Sequence, residues 1–181
     1  MSTKTLMTVE EFAHMTTSET EDYELVEGEL IPLASANPMH ADIRGLVEHL
    51  MRGYFESNPI GRVLAEVDCR LADDLVRRPD LSIFLSDRLK DIDRKKVPVP
   101  FAPDIAVEVL SPSETVVEVR RKALEYLAGG SREVWQLDHE NREIFVQTDS
   151  GIRLLRGSTA VLESPLLPGF SASVTALLAG F

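Results

Sequence analysis

Apolar residues recur at three- and four-residue spacing from Met39 through Ile43, Leu46, Val47, Leu50 and Tyr54. That spacing lines up one face of an α-helix. Asn37-Pro38 ahead of it supplies an N-cap and an N1 proline, and Asn58-Pro59-Ile60-Gly61 closes it, so a long amphipathic helix is expected between them. A different pattern governs Pro103-Asp104-Ile105-Ala106-Val107-Glu108-Val109-Leu110-Ser111-Pro112-Ser113. Strand side chains alternate faces, so Ile105, Val107 and Val109 point one way and Ala106, Glu108 and Leu110 the other. Both faces are apolar except at Glu108, as in a strand buried at the centre of a sheet. A carboxylate there is costly unless a cation, a metal or a proton accompanies it.

The remaining elements follow from shorter signals. Thr8-Val9-Glu10-Glu11 is a capping box and predicts a short helix over about 9–15. The runs Tyr23–Val26 and Glu29–Leu33 flank Glu27-Gly28 and predict a hairpin. Strands are expected at Val63–Val67 and Leu81–Leu85, separated by the polar Asp73-Asp74, and a charged loop with one helical turn spans Ser86 to Pro100. A second helix begins either at Ser111-Pro112-Ser113-Glu114 or at Thr115 with Glu118, buries Val116, Val119, Ala123 and Leu127, and ends at Gly129-Gly130. Glu133–Asp138 and Glu143–Gln147 read as strands. Short strands near Ile152–Leu155 and Ala160–Leu162 are expected to complete the sheet, with a last short helix over Val174–Leu178.

This order predicts one α+β domain over residues 1–181, a mixed sheet flanked by helices with an N-terminal helix and hairpin. It is too irregular for a Rossmann or barrel fold. A hydrophobic content of 44% is that of a soluble globular chain, and no apolar run reaches membrane-spanning length. The first residues lack a signal-peptide pattern, and the single Cys69 excludes an internal disulfide and a cysteine-based zinc site, so a cytoplasmic home is expected. The net charge of −11, from 19 Lys+Arg against 30 Asp+Glu, opposes long-range attraction of nucleic acid.

Asp80 opens the Leu81–Leu85 strand after Arg78-Pro79. If that strand pairs with the Glu108 strand, two carboxylates meet at one sheet end, and two oxygen ligands with a backbone carbonyl and water are what Mg²⁺ or Mn²⁺ accepts. Taken alone, Asp80 reads first as a turn cap after proline. Lys122 lies one turn from Tyr126 beside the buried stripe. Its ammonium either leans over the sheet, where it would stabilise charge on a phosphate, or is solvated beside Arg120 and Arg121. His40, in the first turn of the long helix, either meets an anion or water or completes the cap. The loop bases from Arg88 to Lys96 are a mixed charge run that reads as solvated unless it faces a phosphate site. No Gly-x-Ser-x-Gly, Walker A or Gly-x-Gly-x-x-Gly motif is present.

Tyr23–Leu30, Pro38-Met39-His40, Arg78–Ser82, Pro103–Ser113, Lys122 with Tyr126, Glu133–Asp138 and Leu167-Pro168-Gly169-Phe170, in that order and spacing, resemble the bacterial Uma-two family of the PD-(D/E)XK restriction-endonuclease-like superfamily. The resemblance implies a restriction-endonuclease-like core and hydrolysis of phosphodiester bonds in nucleic acid, DNA first. In the family pattern an Asp before one strand and a Glu within the next hold the divalent metal, and a Lys assists. Asp80 and Glu108 fall on those positions, with the Val109 carbonyl as a third ligand to Mg²⁺ or Mn²⁺. Leu110 stands where the motif lysine would be, and Lys122 looks like its displaced equivalent. Asp104 competes for the metal role, but it shares a strand with Glu108 and lies about 13 Å away at a rise of ~3.3 Å per residue, so Asp80 is preferred. His40 and Glu27 are additional candidates. A homodimer is the expected assembly. The alternatives are a non-catalytic binding or assembly module on the same fold, and a metal-dependent hydrolase of a small phosphate ester.

Overall fold

The computed structural model describes residues 6–15, 17–20 and 23–179. α1 (Val9–His14) starts at the expected capping box, where the Thr8 hydroxyl accepts from Glu11 N–H at 3.2 Å and the Glu11 carboxylate accepts from Thr8 N–H at 2.8 Å. After α2 (Thr17–Thr20), β1 (Tyr23–Val26) and β2 (Glu29–Pro32) form the hairpin. Its turn places Glu27 at φ 52° and Gly28 at φ 76°, the paired left-handed residues that a two-residue hairpin favours. A Cβ at Gly28 would also stand 2.7 Å from the Leu6 Cβ. α3 (Pro38–Ser57) is the long helix, capped by the Asn37 side chain.

Further on come β3 (Gly61–Ala65), β4 (Cys69–Ala72), β5 (Leu75–Arg77), β6 (Leu81–Leu85), α4 (Ser86–Leu89), β7 (Ile105–Val109), α5 (Val116–Ala128), β8 (Glu133–Asp138), β9 (Glu143–Thr148), β10 (Gly151–Arg156), β11 (Val161–Glu163), β12 (Ser171–Ser173) and α6 (Val174–Leu177). The main sheet runs β10-β9-β8-β7-β6-β3. Its β7–β8 pair is parallel and the others are antiparallel. A parallel pair needs a crossover, and α5 supplies it.

β7 is buried along its whole length, as its two-faced apolar pattern requires. On one face Ile43, Val47 and Met51 of α3 pack against Ile105, Val107, Val109, Trp135 and Leu137. Burial of each such side chain contributes about 1.5–3 kcal/mol. On the other face Ala106 and Ala123 are small, so α5 lies close, with Tyr126 and Val134 completing the contact. This is the α+β architecture expected, a mixed sheet between helices.

Several details depart from the expectation. Val116, expected in the buried stripe of α5, is 84% exposed. Asp73-Asp74 is not simply the break between β3 and β6 but sits in the turn of a β4–β5 hairpin, which joins β1 and β2 in a second, four-stranded sheet of order β2-β1-β5-β4. Strands of four and three residues carrying Arg70 and Arg77 leave little period to read. The segment at 161–163 does not complete the main sheet but pairs with β12 in a separate two-stranded sheet. Of the two helix starts, Thr115 with Glu118 wins with both capping-box bonds made, and Ser111–Glu114 folds as a turn closed by Glu114 N–H to Ser111 C=O at 3.0 Å.

Candidate active site

The β6–β7 ladder pairs Leu81 with Val107. One step outward along that register Asp80 stands opposite Glu108, and one more step sets Pro79 opposite Val109. In an antiparallel pair the N–H and C=O of one residue point to the same neighbour. Proline has no N–H to donate, so the ladder stops there, and the Val109 N–H donates instead to Asp80 Oδ2 at 2.7 Å. The Val109 carbonyl, facing the same way, is left without a ladder donor. The Pro-Asp pair therefore ends the sheet so that a carboxylate and a bare carbonyl share one corner.

Glu108 comes to that corner from β7 with 7% of its surface exposed. Tyr126 O–H donates to its Oε1 at 2.6 Å, and Lys122 Nζ stands 3.9 Å from Oε2. Lys122 and Tyr126 are four apart on α5, so one helix face delivers both to the same carboxylate. Burial pushes the Glu108 carboxyl up to about 7, with Lys122 pulling against it and Asp80 adding to it. The Glu108 carboxylate in turn holds the Lys122 ammonium well above the ordinary lysine range. Glu114 fixes Lys122 from the other side at 3.0 Å, while its second oxygen accepts the Ser111 N–H at 2.9 Å. The Tyr126 hydroxyl, raised by its burial, remains a donor.

His40 does not cap α3, since Asn37 does so by accepting the His40 N–H at 2.9 Å. Its ring turns to the site, with Nε2 3.2 Å from Asp80 Oδ2, and its Nδ1 is buried with no partner among the described residues. The bond to Asp80 raises the His40 pKa. A cleft of 170 Å³ opens over these groups, its far wall made by Leu33–Asn37.

The structure thus brings Asp80, Glu108, Val109, Lys122 and His40 to one cleft. Glu27 is not among them; it is exposed at the hairpin turn. The buried carboxylate of β1 is Glu24, which accepts from Arg77 Nη1 at 2.6 Å and from Arg78 N–H at 2.9 Å. Arg77, 2% exposed, also pairs with Glu125 of α5 at 2.6 Å and so ties β1, β5 and the Lys122 helix together. A signal for Glu24 was present: like Glu108, it is a lone acid inside an apolar run. Asp104 lies at the opposite end of β7, engaged by Leu85 N–H at 2.7 Å and Arg132 at 3.0 Å. No base of the 86–97 loop lines the cleft, and Arg88 instead donates to the Ala102 and Gly130 carbonyls.

Among the described residues no three His, Cys, Asp or Glu side chains gather as a metal cage. Between Asp80 and Glu108 the donors left over are oxygens, Asp80 Oδ1, Glu108 Oε2 and the Val109 carbonyl, because the His40 ring meets Asp80 through Nε2 and not through Nδ1, unpartnered among the described residues. That set does not suit zinc, which prefers four nitrogen or sulfur ligands. It does fit Mg²⁺ or Mn²⁺, which retain several waters beside one or two carboxylates.

Residues 9–175 match the Uma2 family, described as "Putative restriction endonuclease". The chain belongs to that family. Among solved structures, a "putative nuclease belonging to DUF820" from Anabaena variabilis is similar at TM-score 0.83 and 23% identity, covering 96% of this chain and 98% of that one. At that identity the likeness shows the shared fold. No curated protein matches the chain. No helix of this Uma2 member, among the described residues, is long and apolar enough to cross a membrane.

Proposed function

We propose that this chain is a divalent-metal-dependent endonuclease that hydrolyses phosphodiester bonds in nucleic acid, DNA first. The observation that carries the reading is the meeting of Asp80, Glu108 and Lys122 around a backbone carbonyl that has lost its ladder partner. Asp80, Glu108 and the Val109 carbonyl are the residues to hold Mg²⁺ or Mn²⁺. The chemistry such an ion supplies is Lewis acidity and charge neutralisation at a phosphoryl oxygen.

This chain's own groups do the rest. Lys122, kept protonated by Glu108 and Glu114, stabilises negative charge growing on the phosphate and orients the attacking water by donating to it. Tyr126 locks the Glu108 rotamer through its 2.6 Å bond, so the second carboxylate oxygen faces the cleft. His40 and the Val109 N–H hold Asp80 Oδ2, which turns Oδ1 outward.

Plasmid nicking with Mg²⁺ or Mn²⁺ tests this, with Glu108→Ala as the control. Loss of at least about 100-fold is expected, as for removal of one electrostatic group from an active site. Full-rate cleavage by Glu108→Ala ends the proposal. The net charge of −11 favours a second reading, a non-catalytic module on the same fold, which predicts no metal-dependent nicking by the unaltered protein.

A further inference from the structure

A larger cavity, of 440 Å³, lies beside the cleft on the α5 face of the main sheet. Within the main sheet α5 packs on β7 and β8 through Ala106 and Val134. Gln136 of β8 reaches α5, donating to the Val119 carbonyl at 2.7 Å, and the register sets Phe145 opposite Gln136 and Ile152 opposite Gln147 on that same face. Beyond the helix, Phe145, Gln147 and Ile152 therefore form the cavity floor, with Gln147 buried, Phe145 half-buried and Ile152 61% exposed. The first turn of α5 and the Leu110–Glu114 segment make the walls.

We propose that this cavity receives one unpaired base of a nucleic-acid strand whose phosphate lies in the Asp80–Glu108–Lys122 cleft. The substrate is then single-stranded or locally opened nucleic acid. This rests on the nuclease reading above and narrows its substrate class.

Four observations converge on a nucleotide. Ser111 and Glu114 line both the cleft and the cavity, so a single ligand can occupy the two. The cleft end offers a protonated lysine and ligands for a cation, suited to a phosphate. The cavity end offers an aromatic ring, aliphatic walls and the amides of Gln136, Asn141 and Gln147. Gln147 is 6% exposed, its N–H₂ is engaged by Gln136, and its amide oxygen accepts no hydrogen bond among the described residues, leaving an acceptor for a base N–H.

Size and charge agree. A volume of 440 Å³ is that of a small-molecule pocket, on the order of 300–1,000 Å³, and takes one base rather than a paired stack. The rim carries Glu114, Asp138 and Glu140 against Arg120, which turns phosphates away but admits an uncharged base. A chain of net charge −11 gains little from long-range attraction, so its affinity must come from short-range contacts such as base stacking.

The test uses the full-length protein with fluorescent single-stranded oligonucleotides in which each base in turn is replaced by an abasic sugar. With Mg²⁺, removal of the base at one fixed position from the cut should lower kcat/KM about tenfold, the scale of one stacked base. Ile152→Glu, at an exposed position, should show that same loss on the intact oligonucleotide and no further loss on the abasic one. Equal abasic penalties in the unaltered and Ile152→Glu proteins overturn the proposal, as does duplex cut as fast as single strand. If nothing is cleaved, the nuclease reading fails and binding decides. Anisotropy without metal should then still show weaker binding for the abasic oligonucleotide and for Ile152→Glu. Unchanged binding overturns the cavity assignment. So does sedimentation showing that Ile152→Glu merely splits a dimer while oligonucleotide binding stays the same, because the surface would then belong to a second copy.

Discussion

Strand β7 has a Pro-Asp at each end of its ladder with β6, and the two ends are built alike. Pro79 stands opposite Val109 and Pro103 opposite Leu85, by extension of the same register. Asp80 accepts the Val109 N–H at 2.7 Å, and Asp104 accepts the Leu85 N–H at 2.7 Å. Each proline ends the ladder, and each aspartate takes over the N–H left behind. What differs is the company from other elements. Asp104, 3% exposed, has Arg132 and Arg88 on its other oxygen and is neutralised within the protein. Asp80 meets a second carboxylate, Glu108, and its Oδ1 is left over. A backbone device that is structural at one end becomes a candidate site at the other because a second carboxylate faces it there, while the nearby Arg78 pairs with Asp68 instead.

Exchanging the two ends is the sharpest way to test this contrast. Asp80→Asn keeps an acceptor for Val109 N–H yet should lower nicking by at least about 100-fold, whereas Asp104→Asn should leave the rate per folded molecule within a few-fold. Equal losses of activity would erase the distinction. Stability should show the reverse order. Asp104→Ala strands a buried N–H and should cost about 1–3 kcal/mol in urea unfolding, and Asp80→Asn should cost less than that.

pH should separate the ends next. With the folded Glu108 carboxyl at about 7 against an ordinary 4.5, the folded state binds more protons than the unfolded chain. Metal-free stability should therefore fall as pH rises between those values, and Mg²⁺ should raise the melting temperature more at pH 8 than at pH 6, as protons leave the carboxylate. Glu108→Gln should abolish both effects, and their persistence would place the titrating group elsewhere. The smallest effect belongs to the prolines. Pro79→Ala supplies an N–H for the Val109 carbonyl and should weaken Mg²⁺ binding a few-fold with under about 1 kcal/mol change in stability. Pro103→Ala should leave Mg²⁺ binding unchanged.

Much of this was readable from local chemistry. Strand alternation exposed Glu108 as a lone acid in a buried strand, the Asn37-Pro38 and Thr8–Glu11 caps marked two helix starts, and the spacing of Lys122 and Tyr126 set them on one helix face. These depend on repeats of 2 and 3.6 residues and on contacts within one turn, which a chain carries in its own order. The same logic applied to Tyr23–Val26 points to Glu24 rather than to Glu27.

The tertiary structure decided what depends on partners far apart in the chain. It distinguished Asp80 from Asp104, since only packing shows which aspartate has Arg88 and Arg132 beside it. It chose Thr115 over Ser111 and thereby released Glu114 to bind Lys122. It made a hairpin around Asp73-Asp74 and buried Arg77 between Glu24 and Glu125. The sequence alone determined which side chains share a strand or a helix face, because backbone period does that. Which charges end up neighbours is set by register and helix placement across dozens of residues, and a low-dielectric interior then gives those neighbours their large mutual effect.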